Sequence, residues 1–382
     1  MKKVVTSKQF KILSFNSFQK HRDISIRITI FEELFPYKYK LMKRILLVRT
    51  DRVGDVVFIT PMIRELRRTY PDAFIATLTQ PHTKNIMLNN PHLDLAITDD
   101  LKKETFWDVV KELRKYKFTD GLMMIPTERA SYQMLWAGIK NRIGVGHKLY
   151  EVMTFTKSVS RNNYTPLRHE ADYCMDLARK IGVKTDNLKL EIFLTDQEKI
   201  EAAAFFDKFG IKENDVKIML HTGSLGSAPN WSEGKYHKLI EKIFSEFKIP
   251  NLKIILTARE MSQSFLDELK NFDNRKIIDI SNSMGNLREF IKIIGQADIF
   301  IGSSTGPLHI SDALGKKAIG IHCHRAMNCI THQGVLNKFS INVEVSEENC
   351  KKYCSADQNT CGIENGLSID EVISSVKTLL NR

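Results

Sequence analysis

With 382 residues, 42% of them apolar and 9% aromatic, the chain has material for two ordinary hydrophobic cores. No run of about 18 apolar residues occurs, so a membrane-spanning helix is not expected. No secretory leader pattern opens the chain, which makes the cytoplasm the expected location. The 57 basic and 45 acidic side chains leave a net charge of +12. That excess suits an anionic partner (nucleotide, phospholipid surface or nucleic acid), although a solvated surface with a basic tail accounts for it equally well.

Residues 1–40 carry nine Lys/Arg and three acids, half of the net charge. Ile24, Ile26, Ile28 and Ile30 alternate with polar residues, the period of a strand, but nothing obvious pairs with it. Residues 1–41 therefore read as a basic extension outside the fold, an anchor, or a translated leader. A buried strand follows at 44–48, then the loop Arg49-Thr50-Asp51-Arg52-Val53-Gly54-Asp55. Ile59, Met62, Ile63 and Leu66 share one face of the next helix, and Pro61 either kinks it or marks its start. Strands are expected at 74–78, 95–98 and 121–125, with a helix at 172–181. The polar stretch 182–189 reads as a linker. Beyond it, helices at 195–209, 235–247, 287–294, 308–314 and 368–380 alternate with strands at 217–220, 253–257, 298–301 and 318–322. This alternation predicts two doubly wound α/β domains, at 42–185 and 186–382.

Two loops repeat one plan. Arg49–Asp55 and Gly302-Ser303-Ser304-Thr305-Gly306-Pro307-Leu308-His309 each follow a buried strand and open a helix. Free N–H groups and the helix dipole make such a junction an anion site. The first loop has neither G-x-G-x-x-G nor a P-loop. Its Asp55 reads either as a helix cap or as a general base for a hydroxyl nucleophile. In the second, Ser304, Thr305 and Gly306 suit a diphosphate, and His309 is either a phosphate donor or a core histidine. A third loop, Thr222-Gly223-Ser224 through Trp231, also follows a buried strand; by itself Trp231 reads as packing. Glu260 falls just past a strand, where α/β sheets bind ligands, and reads as a ribose contact or a surface acid. Cys350, Cys354 and Cys361 form C-x3-C-x6-C, while Cys174, Cys323 and Cys329 are scattered. Without paired C-x2-C knuckles the cluster reads as unligated thiols, so no metal is expected.

Four segments, in order and spacing, resemble glycosyltransferase family 9, the bacterial heptosyltransferase family. They are RTDRVGDVVFITPMIRELRRTYP (49–71), KNRIGVG (140–146), HTGSLGSAPNW (221–231) and GSSTGPLHISDALGK (302–316). The resemblance implies two Rossmann-like domains facing a cleft, the GT-B arrangement. The first would bind an acceptor, typically a lipopolysaccharide core sugar, and the second a nucleotide-sugar, typically ADP-heptose. It also implies inverting transfer without metal or other cofactor. Asp55 then maps onto the family's general base. Thr222, Gly223, Ser224, Trp231, Glu260, Ser304, Thr305, Gly306, Pro307 and His309 map onto the donor side, and Arg52, Gly54 and Arg142 onto the acceptor side. The sequence departs from the family at Ser304, where an Asp is usual, and at Pro229-Asn230, where a Lys commonly precedes the Trp; Lys235 or Arg259 would have to replace that cation. A lipid-linked acceptor would put the protein at the cytoplasmic face of the inner membrane, with no nucleic-acid partner. The alternatives on the same frame are a nucleotide-sugar epimerase or hydrolase and a non-catalytic nucleotide binder.

Overall fold

A computed structural model describes residues 42–258, 261–273, 275–354 and 361–381. The expected strand at Ile24–Ile30 and the extension 1–41 lie outside the described residues, as do Arg259 and Glu260. The first half runs β1 (Arg44–Val48), α1 (Val53–Val57), α2 (Thr60–Thr69), β2 (Phe74–Thr79), β3 (Leu95–Thr98), α3 (Phe106–Lys115) and β4 (Asp120–Met123). It continues with α4 (Glu128–Trp136), β5 (Asn141–Gly144), α5 (Leu149–Met153), β6 (Lys157–Ser158) and α6 (Glu170–Arg179). The second runs α7 (Asp196–Asp207), β7 (Val216–His221), α8 (Glu233–Glu246), β8 (Leu252–Leu256), α9 (Gln263–Leu269), β9 (Ile277–Asp279), α10 (Leu287–Ile294) and β10 (Ile299–Ser303). After it come α11 (Gly306–Ala313), β11 (Lys317–His322), α12 (Ile330–Gln333), β12 (Ile341–Glu344), α13 (Glu347–Tyr353), α14 (Ile363–Gly366) and α15 (Ile369–Leu380).

Each half is one parallel sheet, ordered β3-β2-β1-β4-β5-β6 and β9-β8-β7-β10-β11-β12. Both are the 3-2-1-4-5-6 order of the Rossmann fold, with chain direction of winding reversing between the first and fourth strands of each half. Loops at the carboxyl ends of those strands flank a crevice, and the two loops singled out from the sequence follow β1 and β10. Strand alternation sorts the core. Ile45 and Leu47 of β1 join one hydrophobic cluster, and Leu46 and Val48 join another on the opposite face. The cluster containing Ile45 also takes Phe58, Leu308 and Ile310, so a continuous core links the two halves beneath the crevice.

The helix expected after the first loop is two helices. α1 ends at Val57 and α2 restarts at Thr60, with Pro61 in its first turn, where a missing N–H costs nothing. The Thr60 hydroxyl donates to the Val57 carbonyl at 2.8 Å and bridges the break. A short α1 keeps Asp55 on the crevice while Val56 and Val57 are buried.

Candidate active site

The crevice is a cleft of about 650 Å³. From the first half Arg52, Val53, Gly54, Asp55, Phe58 and His82 line it; from the second come Ser224, Ser304, Thr305, Gly306, Pro307 and His309, among others. The two loops touch. A Cβ on Gly306 would lie 2.8 Å from Val53 Cγ1 and 3.4 Å from the Gly54 nitrogen, and one on Gly54 would lie 3.0 Å from His309 Cδ2. Both positions therefore require the absence of a side chain for close backbone approach, not for a left-handed turn.

Asp55 is not a helix cap. Arg52 holds the N-cap position of α1, and the Asp55 carboxylate in the first turn accepts from Arg49 Nη2 at 2.7 Å. Arg49, only 4% exposed, is the hub of this side. Its Nε donates to Asp51 at 2.9 Å and its Nη1 to Glu170 at 3.0 Å, while Arg161 holds the other face of Glu170 at 2.9 Å. Burial pushes the Glu170 carboxyl up, but Arg49 and Arg161 more than offset it and hold the group below its ordinary value. Burial lifts Asp51 to about 6, with the Asp55 charge adding to the rise and Arg49 opposing it.

The second loop presents neutral donors. Thr305 is the N-cap of α11 but makes no side-chain cap; its hydroxyl donates instead to the Ser303 carbonyl at 3.3 Å. The first-turn N–H groups of α11 thus lack a side-chain acceptor at the rim of the cleft. Ser304 donates to the Gln333 side chain at 3.0 Å. His309 is 2% exposed, tilted against Phe58 at 4.5 Å between ring centres, and its Nδ1 has no partner. Burial, then the nearby His169 and His322, push its pKa well down, so it is the neutral imidazole.

Other expected site residues are placed elsewhere. Arg142 lies near the start of β5, towards the edge of the sheet opposite the cleft; its guanidinium donates to the Thr154 carbonyl at 2.7 Å and to the Ile139 carbonyl, which removes it from the acceptor site. Trp231 is 4% exposed and its Nε1 donates to the Ile363 carbonyl at 3.0 Å, the packing role and not a donor contact. Thr222 and Gly223 are buried behind the lining, with the Thr222 hydroxyl unpartnered. Lys235 points away from the cleft, donating to the Glu364 and Leu367 carbonyls and covering the Trp231 ring. Arg52 is the one Lys or Arg among the described lining residues.

Sequence reasoning missed His221, Thr257, Gln333 and the run Met284–Leu287 with Phe290. His221 Nδ1 lies 2.9 Å from Thr257 Oγ1, and its ring stacks near Phe290 and Phe300. The position rule that singled out Glu260 after β8 points to residues 284–287 only once β9 is known, and the three-residue β9 was not among the expected strands.

A family model described as glycosyltransferase family 9 (heptosyltransferase) matches residues 106–360. A Haemophilus influenzae protein provisionally named as a glycosyltransferase is 28% identical over 290 residues, 74% of this chain and 82% of that one. Lipopolysaccharide heptosyltransferase 1 of Campylobacter coli is 20% identical over 293 residues, 73% of this chain and 83% of that one. Among solved structures, a family 9 glycosyltransferase of Veillonella parvula superposes with a TM-score of 0.71 at 19% identity, covering 88% of this chain and 97% of that one. The ADP-heptose lipopolysaccharide heptosyltransferase II of E. coli gives 0.69 at 15% identity, covering 89% and 98%. Those two likenesses carry the fold, two facing Rossmann-like domains in the GT-B arrangement. With the family model spanning two thirds of its length, the chain belongs to glycosyltransferase family 9.

Proposed function

We propose that this glycosyltransferase moves a sugar, most directly heptose from ADP-heptose, onto a lipopolysaccharide core or related surface glycan, with inversion and without a metal. Residues 42–185 would hold the acceptor and 186–382 the donor. The observation that carries the reading is the contact of the two loops, which puts the Asp55 carboxylate and the α11 N-terminus in one cleft. Asp55 takes the proton of the acceptor hydroxyl as its oxygen attacks the anomeric carbon. The anomeric bond to the diphosphate breaks, and the developing negative charge meets the first-turn N–H groups of α11 with the Ser304 and Thr305 hydroxyls. Arg52 adds the cation that the absent Lys would have supplied. The similarity to the Campylobacter and E. coli lipopolysaccharide heptosyltransferases supports heptose and lipopolysaccharide.

Contact with an anionic membrane surface fits the same reading. α5 and the residue two beyond it expose Leu149, Val152, Met153 and Phe155, each more than half accessible, between the exposed Lys148 and Lys157. No helix among the described residues is long and apolar enough to cross a membrane.

Calorimetry with ADP, UDP, GDP and CDP, followed by a transfer assay with the sugar of the preferred nucleotide, tests the proposal. Preference for ADP and transfer of heptose to a core acceptor are expected. Preference for another nucleotide would overturn the ADP-heptose assignment; an undiminished rate in Asp55→Asn would overturn the base.

A further inference from the structure

Four of the six cysteines meet outside the cleft. Cys323 follows β11, Cys350 lies in α13, Cys354 ends that helix and Cys361 comes just before α14. The Sγ atoms of Cys350 and Cys354 are 3.2 Å apart. The Cys361 thiol hydrogen-bonds with those of Cys323 and Cys354. The backbone enforces this meeting: a Cβ on Gly362 would overlap Tyr353, and the Gly362 N–H donates to Cys354 Sγ at 3.3 Å. Among the described residues no three His, Cys, Asp or Glu side chains are arranged to hold a metal ion. A zinc tetrahedron would separate its sulfurs by roughly 3.8 Å, wider than the Cys350–Cys354 pair.

Cys361 differs from Cys323 in access and charge. Together with Asn230 and Arg325 it lines a polar depression of about 450 Å³, whereas Cys323 is 1% exposed. Hydrogen bonding from the Cys323 thiol, then the Ile363 N–H, Arg325 and the Cys354 thiol, outweigh burial and bring Cys361 down to about 6. The same contact, with burial, pushes Cys323 up. The Cys323–Cys361 contact thus favours a thiolate on the half-exposed Cys361 and a protonated thiol on the buried Cys323, the combination that favours oxidation and resolution.

We propose that Cys361 is a site of reversible oxidation by hydroperoxides, resolved by an adjacent thiol of the same cluster. The Cys361 thiolate attacks the peroxide oxygen, the O–O bond breaks, and with a proton from solvent the leaving oxygen departs as water, or as an alcohol from an alkyl peroxide. Cys361 is then a sulfenic acid. The Cys354 or Cys323 thiol attacks its sulfur, loses its proton and expels the hydroxyl as a second water, leaving a disulfide. Two thiols are oxidised and one peroxide is reduced. The segment just past Cys361 supports the donor-side loop, because Ile363 accepts from Trp231 and Glu364 from Ser232.

The test treats the reduced full-length protein with one equivalent of hydrogen peroxide, then maps alkylation and cross-links by peptide mass spectrometry. Cys361 is expected to lose alkylation first, at least tenfold faster than buried Cys174. A cross-link from Cys361 to Cys354 or Cys323, lighter by two hydrogens, should form and be reversed by dithiothreitol. Cys361→Ser should abolish the cross-link, and Cys350→Ser should leave it in place. A Cys361 that reacts no faster than Cys174, a cross-link that survives Cys361→Ser, or a stoichiometric metal in the purified protein that shields the thiols would each overturn the proposal. Circular dichroism of both variants separates loss of chemistry from loss of fold.

Discussion

The loops after β1 and β10 flank the switch points of two sheets of the same strand order, one after a first strand and the other after a fourth, and they are built from opposite chemistry. The first is a charge network: Arg49 sits among Asp51, Asp55 and Glu170, with Arg161 closing it. The second is neutral, made of hydroxyls, an uncapped helix end and an unprotonated His309. A carboxylate that must accept a proton needs a fixed position and a counter-charge that burial cannot remove. A site for a departing diphosphate brings its own charge and needs donors already aimed. In the proposed reaction the loop after the first strand of one sheet thus supplies the base on one wall, and the loop after the fourth strand of the other sheet supplies the anion cradle on the opposite wall.

Asp55→Asn breaks the first wall alone. It keeps an acceptor for Arg49 and removes the base, so kcat should fall by about 10³ with donor binding unchanged. Single-turnover transfer together with calorimetry checks both halves. Arg49→Met removes the counter-charge from Asp51 and Asp55 and leaves Glu170 to Arg161. Loss of one partner from a buried network costs about 3–5 kcal/mol, read as a lowered urea midpoint. Gly306→Ala strikes the contact between the walls. Its methyl cannot fit against Val53, so a fall in kcat/KM of about 10²-fold is expected, at a stability cost of about 1–3 kcal/mol.

A subtler probe is Asp51→Asn. Burial lifts this carboxyl to about 6 in the folded chain, against about 3.9 unfolded, so folding takes up a proton between those values. The stability linked to that proton is full below about pH 4 and is lost as pH rises through about 6. The Asn variant should therefore gain of order 1–3 kcal/mol over the parent at pH 7.5 and nothing at pH 4, in paired denaturant titrations. The smallest effect is expected away from both loops. Leu149→Ser with Phe155→Ser should weaken sedimentation with anionic vesicles severalfold while transfer to a short soluble acceptor stays unchanged.

Both walls were legible because each carries a local signature, a buried strand running into a turn that opens a helix. Gly54 and Gly306 stand out in sequence for that reason, although their purpose is each other's proximity across some 250 residues. Arg142 shows where local reading stops. An Arg in a strand is equally consistent with either edge of the sheet, and only the pairing of β5 with β4 decides that its guanidinium faces away from the cleft. Glu170 was invisible as a partner because 121 residues separate it from Arg49. The cysteine triplet was legible by spacing, but Cys323 joins it only because β11 ends beside α13 and α14.

The touching glycines also set how this enzyme can open. If the two sheets rotate while Gly54 and Gly306 keep contact, displacement grows with distance from that contact, as at a hinge pin. Asp55 and the start of α11 lie almost on the pin and keep their spacing. The mouth can then widen for a bulky ligand while Asp55 and the start of α11 stay in register, so the rate of ligand escape and the geometry at the contact become separately adjustable.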